Sequence, residues 1–163
     1  VLTVAHKFTR RGRVGAAVYR ADILYGGRTV SVEGLVDTGN SLYEPFSDTP
    51  VMVCALQDMA PLLPDGAAEA ILRGEHMTSA FHRFGLKLRL VPYGNVGGAG
   101  TIPAFHPELV RLTGPGGNLI VERVYVAMAP DKIGGDGYNA LLNPDRVGAR
   151  LAPQPGRKRT GSQ

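Results

Sequence analysis

The pattern that most constrains this chain is a two-residue alternation of apolar and polar side chains, broken again and again by glycine and proline. Between Val14 and Val36 the sequence reads as two strands joined at Gly26-Gly27, a pair that suits a tight hairpin turn. Val30 and Val32 alternate with Thr29, Ser31 and Glu33, as in a strand with one buried face. Further strands are predicted over Pro50–Leu56, over Gly85–Val91 (Leu86, Leu88 and Leu90 alternating with Lys87 and Arg89), over Leu119–Met128 and at Ala140–Leu142. The 22 Gly and 12 Pro in 163 residues supply the turns that so many short strands need. The pattern therefore predicts an all-β chain, mainly β with short helices. One helix is expected over Ala67–Arg73, capped by Asp65 and stopped by Gly74, inside an insert from Gln57 to Phe84.

Length and charge narrow the organisation. The chain fits one domain over residues 1–153, followed by a disordered basic tail over 154–163 that is rich in Pro, Gly and Ser. There are no internal repeats. The net charge of +4 is concentrated at the ends, in Arg10, Arg11 and Arg13 and in Arg157, Lys158 and Arg159. Such runs are either solvated termini or a patch for acidic lipid or protein, and nucleic acid is not an expected partner. No stretch approaches the roughly 20 apolar residues that span a bilayer, and no leader is visible. The chain opens on Val1 rather than Met, so it reads as a soluble piece of a longer protein.

Several chemistries are disfavoured. His6, His76, His82 and His106 lack metal-ligand spacing and have one cysteine to join them, so neither a metal nor any other cofactor is expected. Cys54 sits in the apolar run Val51–Leu56, which suppresses a thiolate and suggests a small buried hydrophobe in a reducing compartment. The glycine-rich stretch Gly94–Gly100 is followed by Pro103 and apolar residues instead of a helix with Lys and Ser or Thr, so it is no phosphate cradle. A Gly-x-Ser-x-Gly elbow is absent.

The informative segment is Leu35-Val36-Asp37-Thr38-Gly39-Asn40-Ser41. An apolar strand end feeding Asp-Thr-Gly resembles the active-site signature of the pepsin-like and retroviral-type aspartic proteases. On that reading Leu35 and Val36 anchor the loop and Asp37 is the acid and base. Thr38 offers its hydroxyl across a two-fold axis, and Gly39 lets the backbone pass close to a neighbouring carboxylate. Peptide hydrolysis of this kind needs two carboxylates sharing one proton. The chain carries one Asp-Thr-Gly, so the pair must come from a C2 homodimer. Two later segments fit the same resemblance. Asn95 to Ile102, with Val96, Gly97, Gly98, Ala99 and Gly100, resembles the substrate-covering flap, although a plain flexible loop fits as well. Ala140-Leu141-Leu142-Asn143 lies where these enzymes have a strand threaded behind the catalytic loop, with Asn143 in place of Gly. Asn40 and Ser41 either line the substrate groove or finish the loop; Tyr93 either contacts substrate or packs.

A closer resemblance rests on Val36 to Pro45, Thr49-Pro50-Val51, Val91-Pro92-Tyr93 and Ala140 to Pro144, which look like the sporulation sigma-E factor processing peptidases. It spans most of Val30 to Val147. What this implies is a retropepsin-like closed β-barrel, one half of a pepsin-type two-lobed enzyme, acting as a homodimeric aspartic endopeptidase. In that family a membrane domain, absent from this chain, precedes a protease domain on the cytoplasmic face of the mother-cell membrane. The substrate is the precursor of sigma-E, whose pro-sequence is removed, and activation depends on a forespore-derived protein. The alternative is a retropepsin-like fold used as a non-catalytic binding or dimerisation module.

Overall fold

The computed structural model describes residues 17–95, 98–145 and 147. Strands β1 (Val18–Tyr25) and β2 (Arg28–Val36) form an antiparallel hairpin in which Tyr25 faces Arg28. Gly26 and Gly27 close it at φ 58° and 72°, the left-handed geometry whose twist matches that of the flanking strands. The expected hairpin is therefore present; Val14 itself lies outside the described residues. Next come β3 (Tyr43–Glu44) and β4 (Thr49–Ala55). Every residue of β4 is buried, as expected of a central strand covered on both faces.

The Gln57–Phe84 insert is helical. It contains α1 (Leu56–Met59), a 3-10 turn (Ala60–Leu62), α2 (Ala67–Leu72) and α3 (Met77–Phe84). Helix α2 was expected, but its N-cap is Gly66 at φ 81° and not Asp65, and no side chain caps it. Helix α3 turns Ala80, Phe81 and Phe84 inward and Thr78, Ser79, His82 and Arg83 outward. Gly85 ends α3 in left-handed geometry at φ 64°, so the strand predicted from that residue begins only at Leu88.

The chain continues through β5 (Leu88–Asn95), β6 (Gly98–Phe105), β7 (Leu109–Gly114), β8 (Gly117–Val121), β9 (Tyr125–Ala129) and β10 (Ala140–Leu142). The single strand predicted over Leu119–Met128 is two, because Glu122 and Arg123 are exposed where the chain leaves β7 and crosses to β4. Strand order is β5-β6-β9-β4-β10-β2-β1-β7-β8, with β3 pairing to β4 off this path. Among the described residues no pairing joins the edge strands β5 and β8, so the closed barrel expected from sequence is corrected to an open, curled sheet. Strand β6 pairs with β9 only through Ala104 and Phe105; Val91 and Ile102 of the β5–β6 hairpin still enter the core, and its far end, with Gly98 and Ala99 exposed, projects as an arm. The curl is real: Tyr25 at the end of β1 meets Phe105 with ring centroids 4.6 Å apart. No helix among the described residues is long and apolar enough to cross a membrane.

The central strands divide the interior into two clusters. Met52, Cys54, Val126, Met128, Ala140 and Leu142 point to one, alongside Ile23, Phe105 and Leu112. The alternate residues Val51, Val53, Ala127, Ala129 and Leu141 point to the other, with Leu35, Val91 and Ile102. Leu42 and Tyr93 pack against this second cluster, so the loop after β2 and the root of the projecting arm share one apolar base. Cys54 is wholly buried, and burial pushes its thiol far above the ordinary range.

The connection between β3 and β4 is built around a buried carboxylate. Glu44 is 1% exposed, and its Oε2 accepts the Ser47 amide at 2.8 Å and the Ser47 hydroxyl at 2.5 Å. Ser47 Oγ also lies 2.8 Å from Thr49 Oγ1, and Asp48 closes the turn at φ 51°. Burial acts to raise the Glu44 pKa. The hydrogen bonds from Ser47, the Phe46 amide and the positive charge of Arg89 outweigh it and hold the carboxyl below its ordinary value.

Two expectations follow from these contacts. Leu141, 1% exposed in the middle of β10, should cost about 2–5 kcal/mol when truncated to alanine, read from urea unfolding. Glu44→Gln should lower stability at pH 7 by about 1–3 kcal/mol. A lowered native pKa means that the wild-type advantage is complete above the unfolded value of 4.5 and fades as the pH drops through the native value. Unfolding curves of the two proteins should therefore converge in acid.

Candidate active site

Strand β2 ends at Val36, and the chain turns sharply over the next three residues. Asp37 itself organises the turn: its Oδ1 accepts the Gly39 amide at 2.9 Å, and its carbonyl accepts the Asn40 amide at 2.9 Å. Gly39 is needed here for space. A methyl group on it would sit 3.2 Å from Asp37 Oδ1, pressing on the carboxylate. Asp37 is half-buried, while Thr38, Gly39 and Ser41 are exposed. The loop therefore holds its acid fixed from one side and offers it to solvent on the other.

Strand β10 fixes the loop from behind. It inserts between β2 and β4, parallel to the first and antiparallel to the second. Leu142 pairs with Val36, and its carbonyl accepts the Asp37 amide at 3.2 Å. Gly34 lets this strand close in, because a Cβ there would meet the Leu142 side chain at 2.8 Å. The threading expected of Ala140-Leu141-Leu142 is thus in place.

Two buried asparagines complete the support. Asn40, 2% exposed, donates from Nδ2 to the Val51 carbonyl at 3.0 Å, and its Oδ1 accepts the Leu42 amide at 3.2 Å. Its side chain finishes the loop from within, while Ser41 remains at the surface. Asn143, 3% exposed, donates from Nδ2 to the Leu42 carbonyl at 3.1 Å and accepts the Asp145 amide at 3.0 Å. Tyr43 adds a hydrogen bond from its hydroxyl to the Asp145 carboxylate. The roles of Asn143, Glu44, Tyr43 and Asp145 were not read from sequence. Their one visible signal was a polar residue set beside an apolar run.

The glycine-rich stretch is a regular hairpin. β5 and β6 pair from Leu88↔Phe105 out to Asn95↔Gly98. Val96 and Gly97, expected at its tip, lie outside the described residues. Gly98 and Ala99 are exposed, and Gly98 adopts φ 144°. Tyr93 lies across the hairpin on Gly100, where a Cβ would come within 2.9 Å of the Tyr93 hydroxyl. Such cover by a ring stiffens a strand that glycine would otherwise weaken. Tyr93 thus packs on the arm.

Among the described residues, no group of three or more His, Cys, Asp or Glu is placed to hold a metal ion. His106 meets Tyr125 edge-on, with ring centroids 5.1 Å apart. All 14 acidic residues fall between Asp22 and Asp145, whereas half of the 18 basic ones lie outside the described residues. The described body is therefore more acidic than basic.

Comparison with known proteins gives the family of the chain. The profile of the sporulation factor SpoIIGA family matches residues 2–146. The sporulation sigma-E factor-processing peptidase of Priestia megaterium (strain ATCC 12872 / QMB1551) is 29% identical over 131 residues, 77% of this chain and 43% of that protein. Its namesake in Bacillus subtilis (strain 168) is 29% identical over 135 residues, with the same shares. A putative sporulation sigma factor-processing peptidase of Bacillus thuringiensis subsp. kurstaki is 25% identical over 132 residues, 78% of this chain and 82% of that protein. The chain spans less than half the length of the first two relatives. No solved structure matches it. With the profile running through β2, the Asp37 loop and the threaded β10, the chain belongs to the sporulation factor SpoIIGA peptidase family.

Proposed function

We propose that this chain is the proteolytic unit of a homodimeric aspartic endopeptidase that removes the pro-sequence from the precursor of a sporulation sigma factor. The observation that carries the reading is the single Asp37, half-exposed at a strand end and clamped by its own loop and by β10. One carboxylate per chain calls for a second chain. Across a two-fold axis the two Asp37 side chains share one proton. The ionised member takes a proton from water, whose oxygen attacks the peptide carbonyl carbon, while the protonated member donates to the carbonyl oxygen. Collapse of the tetrahedral intermediate breaks the C–N bond, and the amine leaves with a proton returned from the pair. Thr38 braces the partner loop through its hydroxyl, and the Gly39 amide orients the carboxylate.

The β5–β6 hairpin acts as the flap, with Val96, Gly97, Gly98, Ala99 and Gly100 closing over an extended peptide and Ser41 contacting it from below. The relatives' names support the substrate class proposed here. A membrane-bound portion, as the family resemblance implies, would hold two copies together on the cytoplasmic face and receive the forespore-derived activator. Residues 1–153 serve as the protease domain and 154–163 as its tail.

Asp37→Asn should abolish processing of the precursor, a fall in kcat of at least about a thousandfold, with the far-UV spectrum and unfolding midpoint little changed. Adding that variant to wild type in excess should poison activity, since mixed dimers lack one carboxylate. A statine-type mimic of the tetrahedral intermediate should bind wild type and not the variant. Full cleavage by Asp37→Asn would exclude the aspartic mechanism. A chain that dimerises but neither cleaves nor binds the mimic would instead be a dimerisation module.

A further inference from the structure

Both ends of the described body lie beside the Asp37 loop. At the start, the Ala17 carbonyl accepts the Val36 amide at 2.9 Å, so the chain enters β1 next to the residue that precedes the aspartate. At the finish, Asp145 is held through its amide by Asn143 and through its carboxylate by Tyr43, and Asn143 in turn holds Leu42 of the loop. Residues 1–16 and the run that follows Val147 therefore attach at one end of the sheet. The Gly26-Gly27 turn marks the opposite end, about 25 Å away along β1.

Charge is divided along the same line. The described residues hold nine basic and 14 acidic side chains, a balance of −5. The residues outside them hold the other nine basic side chains and no acidic one, which restores the +4 of the whole chain. Like charges gathered without counter-charges repel one another until an anionic partner neutralises them.

The sequence favours one partner. In the first run Lys7, Arg10, Arg11 and Arg13 are interleaved with Leu2, Val4, Phe8 and Val14. A nucleic-acid backbone rewards the cations and has no use for the apolar side chains. A bilayer interface rewards both, since headgroup phosphates take the guanidinium groups while Phe and Leu enter the acyl boundary. Arg13 precedes Ala17 by four residues, so even fully extended it stays within about 14 Å of the body.

We infer that the two basic runs bind a membrane surface of anionic lipid and turn the Asp37 end of the domain towards it. The inference goes beyond the peptidase reading and does not depend on it, because lipid binding is read without any cleavage. Its consequence for that reading is that the acid works next to the bilayer, on polypeptide held at the surface.

The test is co-sedimentation of the full chain with vesicles, either phosphatidylcholine alone or an equal mixture with phosphatidylglycerol. Binding should need the anionic lipid and should fall as salt rises. Arg10→Gln, Arg11→Gln and Arg13→Gln combined should weaken it about a hundredfold, with the unfolding midpoint unchanged. The sequence has no tryptophan, so Phe8→Trp supplies a single reporter whose emission brominated lipid should quench. Orientation is read by energy transfer to a lipid acceptor. A dye on Ser41→Cys, beside the Asp37 loop, should transfer more than one on Thr29→Cys at the opposite end, while the buried Cys54 stays unlabelled. Equal binding to neutral vesicles would overturn the inference, as would no binding to anionic ones because the runs dock on the acidic body. So would equal transfer from the two dyes, or a preference for duplex DNA over vesicles at the same salt, which would assign the runs to nucleic acid.

Discussion

The site depends on one strand of three residues lodged between two others. β10 hydrogen-bonds to β2 on one side and to β4 on the other, and those two strands flank the Asp37 loop. Without β10 the loop would span an unpaired gap, and its first amide would lose its acceptor, the Leu142 carbonyl. The apolar faces of β10 also bind the two core clusters together, Leu142 entering one and Leu141 the other. The position of the acid is thus a property of the core, held by packing from below and hydrogen bonding from behind.

Around that strand the buried polar groups follow a consistent logic. Taking an amide out of water is unfavourable unless its donors and acceptors find partners. Asn40 and Asn143 both find a partner on the loop backbone at Leu42 and another beyond it, at Val51 and Asp145, so burial and loop shape support each other. Asn143 gives the end of β10 a side chain that reaches Leu42, a fastening from strand to loop. Glu44 does similar work for the next turn, using a charge in place of an amide.

Much of this was legible beforehand, and the physical reasons divide cleanly. The β1–β2 hairpin, the buried β4 and the threaded β10 were visible because period and turn chemistry are local properties of the chain. β7 carries an equally plain alternation, Leu109-Val110-Arg111-Leu112, with Val110 and Leu112 buried, yet it was not singled out beside its glycine-rich neighbour. The break at Glu122-Arg123 was hidden because two charges within an apolar run also fit the exposed face of one strand. Sheet closure depends on whether the edge strands β5 and β8 meet, which no local pattern encodes. Asp37, Thr38 and Gly39 announce themselves as a motif. The residues that brace them are far away in sequence, as with Asn143 reaching Leu42 and Asp145 reaching Tyr43.

That separation bears on how the protein comes into being. During synthesis Leu142 leaves the ribosome about a hundred residues after the Asp37 turn, at roughly 5–20 residues per second. Until then the aspartate sits on a loop with no backing strand, and contacts this remote in sequence form late. A nascent or C-terminally truncated chain therefore holds the acid but not the geometry. The threading of β10 works as an assembly check, so that the Asp37 loop takes its shape only in a finished molecule.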